Sequence, residues 1–168
     1  MGRDPRRRVN NGTSHLIGLI SDTHGMVRAG VHQAFAGVEL ILHAGDVGGN
    51  EVLDELELIA PVIAVYGNTD EINNPRLSPA IERVIGGLTV HVSHGHEVGS
   101  PTPSRLLERY PADVIVYGHT HQQLITRADA RLVVNPGAAG ARRFKLSPAV
   151  GLLRISDGRA EVELVALE

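Results

Sequence analysis

Five short polar clusters hold the residues whose types and spacing could do chemistry. They read Ser21-Asp22-Thr23-His24-Gly25, Gly45-Asp46-Val47-Gly48-Gly49, Gly67-Asn68-Thr69-Asp70, His94-Gly95-His96-Glu97 and Gly118-His119-Thr120-His121. Asp22, Asp46, Asn68, His24, His94, His119 and His121 offer only oxygen and nitrogen donors, which suits Mn²⁺, Fe²⁺ or Zn²⁺ rather than soft copper. So many donors exceed one tetrahedral centre and suit two metals sharing a bridging carboxylate. Asp-X-His and His-X-His place two side chains on the same side of an extended chain, because strand side chains repeat every two residues. The neighbouring glycines allow tight turns and close backbone approach by a ligand. Each cluster alone has a plain alternative as a helix N-cap, a βα turn or a β-turn. Their joint occurrence favours a metal site.

The elements that must position these clusters are short apolar runs. Leu16–Ile20, Leu40–His43, Val62–Tyr66, Val90–Ser93 and Val114–Tyr117 have strand length and composition, and each ends in one of the five clusters. Near-continuous apolar runs suit strands buried on both faces. In open α/β sheets, sites form outside the carboxyl ends of the strands, so parallel neighbours would bring all five loops to one rim. Helices are predicted over Val27–Phe35, over Glu51–Ile59 after an Asn50 N-cap, and from about Ser104 to Tyr110. Hairpins are predicted at Ile81–Ile85 with Leu88–Ser93, at Leu124–Arg127 with Arg131–Asn135, and at Gly151–Ser156 with Glu161–Leu167. The class implied is α/β, best fitted by a two-sheet sandwich flanked by helices.

Composition narrows the function. The chain has 168 residues, 42% hydrophobic and 3% aromatic, with no Trp, nine His and no Cys. Without cysteine there is no disulfide scaffold, no thiolate zinc site and no cysteine nucleophile. The first fourteen residues carry Arg3, Arg6, Arg7 and Arg8 against Asp4, so removing their surplus of three positive charges from a net −3 leaves the body near −6. A body of that sign is a poor general binder of nucleic acid. Residues 1–14 are expected to be a disordered basic arm, and residues 15–168 one domain. The arm lacks an apolar stretch of signal-peptide length, and Arg6 spoils the myristoylation pattern begun by Met-Gly. No apolar run approaches membrane-spanning length. A cytoplasmic protein with no membrane partner is expected.

The order Asp-X-His, Gly-Asp-X-X-Gly, Gly-Asn-X-Asp, His-Gly-His and Gly-His-Thr-His, running from Ile20 to His121, resembles the signature of the calcineurin-like metallophosphoesterases. Chain length, Asn135-Pro136-Gly137 and the closing hairpin are similar to the small bacterial and archaeal phosphodiesterases of the YfcE and MJ0936 type, with the VPS29 scaffold as a relative. The resemblance implies a four-layer αββα sandwich. It implies one metal on Asp22, His24 and His121, a second on Asn68, His94 and His119, and Asp46 bridging both. Two divalent ions are implied, foremost Mn²⁺, with Fe²⁺, Zn²⁺, Ni²⁺ or Co²⁺ as alternatives. Such ions, about 3.5–4 Å apart, share a hydroxide that serves as the nucleophile. The implied activity is hydrolysis of a small phosphodiester substrate. A non-catalytic scaffold and a phosphomonoesterase are the alternatives, and a homo-oligomer (dimer or tetramer) is compatible with exposed hairpin edges.

One position departs from the wider family. Where its members carry a His after Gly-Asn, to contact phosphate and assist the leaving group, this chain has Thr69. The small phosphodiesterase branch also lacks that His, so diesters with good leaving groups are favoured. His96, two residues from His94 on a chain expected to be extended, becomes the candidate general acid, with a hydrogen-bonding role beside the ligands as its alternative. The amides of Gly48 and Gly49 are expected to assist phosphate binding. His43 is expected to be buried and hydrogen-bonded rather than a ligand. Asp70 is expected to orient a ligand His through its free ring nitrogen. His15, His32 and His91 belong to no motif, and Val98–Pro103 reads as a lid or a helix lead-in.

Overall fold

The computed structural model describes residues 14–142 and 145–167. The basic arm expected over residues 1–14 therefore lies, apart from Ser14, outside the described residues. The strands are β1 (His15–Ile20), β2 (Leu40–His43), β3 (Val62–Val65), β4 (Leu77–Ser78), β5 (Ile81–Ile85), β6 (Leu88–Val92), β7 (Val114–Val116), β8 (Leu124–Ala128), β9 (Arg131–Asn135), β10 (Ala149–Ser156) and β11 (Arg159–Ala166). The helices are α1 (Ala29–Ala34), α2 (Asn50–Glu57) and α3 (Pro103–Arg109), with a 3₁₀ turn at His96–Val98.

Two sheets result. One is ordered β11-β10-β1-β2-β3-β4, and the other β5-β6-β7-β9-β8. β1, β2, β3 and β4 run parallel, as do β6, β7 and β9. The remaining strands pair antiparallel through the three expected hairpins.

Alternation along each strand explains the layering. Ile17 and Leu19 of β1, Leu42 of β2, Val90 and Val92 of β6, Val114 and Val116 of β7, and Leu132 and Val134 of β9 fill one core between the sheets. The opposite faces are not solvated. Ile20, Ile41 and Ala64 meet Val31 and Phe35 from α1 and Val52, Leu53 and Leu56 from α2. On the other sheet, Ile115 and Val133 meet Leu106 of α3. Helix, sheet, sheet and helix make the four αββα layers. Two-sided burial is why the strands read as continuous apolar runs. Glycine at position 18 lets the Phe35 ring pack close against β1, since a Cβ there would stand 3.0 Å from the ring.

The helix ends differ from expectation in physical detail. Asn50 does not cap α2; it is the first helical residue, Gly49 holds the cap position, and the Asn50 side chain accepts a hydrogen bond from Asn74. α3 begins one residue early because Pro103 suits a first helical position and the Thr102 hydroxyl accepts from the Arg105 amide. Strand β4, two residues long, carries no sequence signal strong enough to expect it.

Candidate metal centre

The carboxyl ends of β1, β2, β3, β6 and β7 meet at one rim, as the parallel registers Ile20↔His43↔Ala64 and Val92↔Val116 require. Beyond the strand ends, backbone pairing continues loop to loop. Asp22 N donates to Gly45 O, His24 N to Asp46 O, Gly25 N to Val47 O and Gly118 N to His94 O. These bonds join the Asp22 loop to the Asp46 loop and the His94 loop to the His119 loop. The Thr69 amide and Asn68 Oδ1 bring in the fifth cluster, and the seven expected donors lie together.

Each carboxylate has one oxygen tethered by its own loops and one turned toward the imidazoles. Oδ2 of Asp22 accepts from the Ser21 hydroxyl (2.5 Å) and the His119 amide (3.2 Å). Its Oδ1 faces His121 Nε2 at 3.2 Å, His24 Nε2 at 3.8 Å and His94 Nε2 at 3.9 Å. Oδ1 of Asp46 accepts from the Thr69 amide at 3.0 Å. Its Oδ2 lies between His94 Nε2 at 3.3 Å and His24 Nε2 at 3.7 Å. Asn68 Oδ1 completes the ring, 3.0 Å from His94 Nε2 and 3.1 Å from His119 Nδ1. His94 Nδ1 donates to the Ala44 carbonyl at 2.7 Å, so Nε2 is the atom turned inward.

A cation fits this donor set. Asp22 Oδ1 and His24 Nε2 are buried without a hydrogen-bond partner, although buried polar atoms are normally satisfied. One donor atom from each of Asp22, His24 and His121 falls within 4.8 Å of the others, and the same holds for Asp22, Asp46 and His94. Asp22, Asp46 and His94 are buried, His24, His119 and His121 half-buried, and Asn68 exposed, so the cluster opens to solvent on one side.

Electrostatics follow the same geometry. Burial alone would raise the Asp46 carboxyl, but the His94 hydrogen bond and the Thr69 amide outweigh it and hold the group well below the usual carboxylate range. Burial works against a charged His94, yet hydrogen bonding and charge from Asp46 and Asp22 raise it. His119 is lowered by burial and by the neighbouring His94.

Three local expectations are corrected. The site pairs do not lie on extended chain. Asp22, His24, Asp46, His119 and His121 have φ of 53°, 46°, 54°, 70° and 62°, in the left-handed region. His96 follows Gly95 at φ 106° and opens a 3₁₀ turn. Its ring nevertheless stands 5.4 Å from that of His94 and 6.3 Å from that of His119, with Nδ1 unpartnered. Asp70 orients no ligand His; it accepts the amides of Val47, Gly48 and Gly67, tying the Asp46 loop to the Asn68 loop. The Gly48 amide is therefore already spent.

His43 is buried and fully hydrogen-bonded, and burial pushes its imidazole down to about 4. His15 and His32 pair with Glu39 and Glu55 at the surface. His91 is a buried strand position stacked on Tyr110. Arg105 donates to Ser100 O, which ties residues 98–103 down as the lead-in to α3. Sequence reasoning missed Ser21 and gave Asn135 no role. Asn135 is buried and donates to Gly118 O and Thr120 Oγ1, steadying the His119–His121 turn. The only signal for it was Asn-Pro-Gly after an apolar run.

A family model described as the calcineurin-like phosphoesterase superfamily domain matches residues 16–158. A probable metallophosphoesterase of Methanothermobacter thermautotrophicus is 40% identical over 161 residues, covering 89% of this chain and 91% of that protein. The phosphodiesterase MJ0936 of Methanocaldococcus jannaschii is 32% identical over 139 residues, covering 72% of this chain and 82% of its own. Among solved structures, vacuolar protein sorting 29 from Cryptosporidium parvum superposes with a TM-score of 0.77 at 22% identity, covering 91% of this chain and 97% of its own, a likeness of fold.

Proposed function

The chain belongs to the calcineurin-like phosphoesterase superfamily, and from that membership we propose that it is a phosphodiesterase working with two divalent metal ions, foremost Mn²⁺. The observation that carries the proposal is the pair of buried atoms without a hydrogen bond, Asp22 Oδ1 and His24 Nε2, 3.8 Å apart, with His24 Nε2 also 3.7 Å from Asp46 Oδ2. Asp22, His24 and His121 would hold one ion, Asn68, His94 and His119 the other, and Asp46 both. When bound, two such ions supply an ionised water near neutral pH and offset phosphoryl charge. The relative named a phosphodiesterase supports the diester preference.

The protein's own residues orient and select. Ser21 and the His119 amide fix Asp22, the Thr69 amide fixes Asp46, and the Ala44 carbonyl fixes the tautomer of His94. Thr69 offers a hydroxyl where an imidazole would serve as a proton donor, so substrates with good leaving groups are favoured. His96 stands beside His94 and His119, its buried Nδ1 without a hydrogen bond and 4.0 Å from Glu97 Oε1, and would be the group that holds a proton for the departing oxygen. A scaffold role has no support from this arrangement, because all seven donors are present at the rim.

Mn²⁺-loaded protein assayed on an aryl phosphodiester and the matching monoester tests the proposal. Turnover of the diester is expected, with near-total loss in Asp46→Asn. Faster monoester hydrolysis would overturn the diester preference, and no hydrolysis of either with both ions bound would overturn the enzymatic claim. His96→Ala is expected to lower kcat about 10²-fold or more and remove one limb of its pH profile. An unchanged kcat and profile would remove the proton-donor role.

A further inference from the structure

His43 lies beneath the rim, is entirely buried, and is claimed by no ligand role. We propose that His43 and Thr23 form a positioning clamp that sets the separation of Asp22 and Asp46, and through it the spacing of the two metal subsites. The inference rests on the two-metal function proposed above.

The clamp is a directed chain of hydrogen bonds. The Gly45 amide donates to His43 Nδ1 at 3.1 Å, which makes Nδ1 the acceptor and leaves the proton on Nε2. Nε2 then donates to Thr23 Oγ1 at 2.9 Å, and the Thr23 hydroxyl donates to Val47 O at 2.7 Å. Each proton has one direction only. The chain starts at Gly45 and ends at Val47, the two neighbours of Asp46. At its midpoint is Thr23, the residue between Asp22 and His24. It therefore adds a side-chain link between the two loops that carry the carboxylates, beyond the end of the β1–β2 ladder at Ile20↔His43 and beside the backbone bonds from Asp22, His24 and Gly25 to Gly45, Asp46 and Val47.

The link falls on strained backbone. Asp22, His24 and Asp46 all lie in left-handed backbone, a conformation that persists in non-glycine residues only where surrounding structure over-determines it. The role also explains the residue type. A neutral imidazole accepts on one nitrogen and donates on the other across a rigid ring. With both nitrogens committed, His43 has none left for a metal. A leucine there would leave the Gly45 amide without a partner and the Thr23 hydroxyl with Val47 O alone.

Thr23→Val removes one hydroxyl at nearly constant shape, Thr23→Ser keeps it, and His43→Leu removes the other half. Titration calorimetry with Mn²⁺ and the visible spectrum of the Co²⁺-loaded protein report on the two subsites independently of turnover. Urea unfolding reports stability alongside. Thr23→Val and His43→Leu are expected to bind the second equivalent of Mn²⁺ at least about tenfold more weakly and to shift the Co²⁺ bands, with Thr23→Ser close to the unaltered protein. If Thr23→Val is less stable yet keeps both affinities and the Co²⁺ spectrum, His43 and Thr23 are structural only and the clamp is overturned. An unaltered protein that binds fewer than two ions would overturn the two-metal function itself, and the clamp with it.

Discussion

Gly67 offers the sharpest separation of activity from stability. It follows β3 and precedes Asn68, and its backbone lies outside the left-handed region, so alanine is allowed there on conformational grounds. Space is the obstacle. A Cβ at Gly67 would stand 2.1 Å from Asp46 Oδ1, 2.5 Å from the Asp46 amide nitrogen and 2.7 Å from Asp46 Cγ. Ordinary contact begins near 3.4 Å, so the Asp46 carboxylate and its backbone must retreat by about 1 Å, a displacement that costs roughly 10²-fold in rate when it misplaces reacting groups. Thr69, whose amide holds Asp46, and Asn68 shift with it. Overpacking of this kind costs about 1–3 kcal/mol, partly offset by the stiffer unfolded chain of alanine. Gly67→Ala is therefore expected to stay folded while losing about 10²-fold or more in kcat on an aryl phosphodiester. The same variant should carry less than a full complement of Mn²⁺ by elemental analysis. Gly87→Ala is the control. At φ 83° with nothing within 4 Å of its Cβ, it should lose about 1–2 kcal/mol to left-handed strain and no activity. A Gly67→Ala protein with both ions bound and more than a tenth of the normal kcat would refute the reasoning.

Acid sensitivity should trace in part to His43. Complete burial holds its folded value at about 4, below an ordinary 6.5. The folded state thus favours the neutral ring, so its contribution is complete above about pH 6.5 and is lost as pH falls toward 4, an effect of order 3 kcal/mol. Urea unfolding of chelator-treated protein at pH 7.5 and 4.5 should show a steeper loss than in His43→Leu, and equal losses would contradict the assignment. Groups shared by both proteins, including His94, cancel in that difference. In the core, Phe35→Ala should cost about 3–5 kcal/mol because the ring is wholly buried against Gly18. At about 2–4 °C per kcal/mol, that is a drop of roughly 10 °C in Tm by calorimetry. Leu58→Ala, at an exposed position, should move it little.

The fold was legible where burial is two-sided and the strands end in polar residues. Leu16–Ile20 and Leu40–His43 read as strands because both faces are covered, by the second sheet on one side and by α1 and α2 on the other. The hairpin turns were legible because Gly86-Gly87 and Asp157-Gly158 supply the positive φ that tight turns need. What stayed hidden depends on partners distant in sequence. Two-residue β4 pairs only with β3, and nothing in Leu77-Ser78 announces that. Asp70 looked like a group that would orient a histidine, yet it is enclosed by three amides from loops about twenty residues apart or adjacent to it. No local pattern encodes that competition between an imidazole and three backbone donors.

The proposed donors were singled out by a spacing argument whose geometric premise the backbone contradicts. Asp-X-His and His-X-His were expected to work as extended pairs, but both members of Asp22/His24 and of His119/His121 are left-handed, as is Asp46. Among the described residues, the other non-glycine positions of this kind are Asp129 and Asp157, both at hairpin turns. Asp22 and His24 still meet at 3.8 Å, and His119 and His121 reach the same cluster through Asn68 and Asp22. Strained backbone and the proposed donors therefore coincide in this fold. The left-handed turns lie in the loops beyond the strand ends, at the rim where the donors from both sheets meet. The surrounding hydrogen bonds, from Ser21, Thr23, His43, Asp70 and Asn135, are what hold those turns in place. The protein itself thus holds these atoms at set separations, the preorganisation that the two-ion binding proposed above would need.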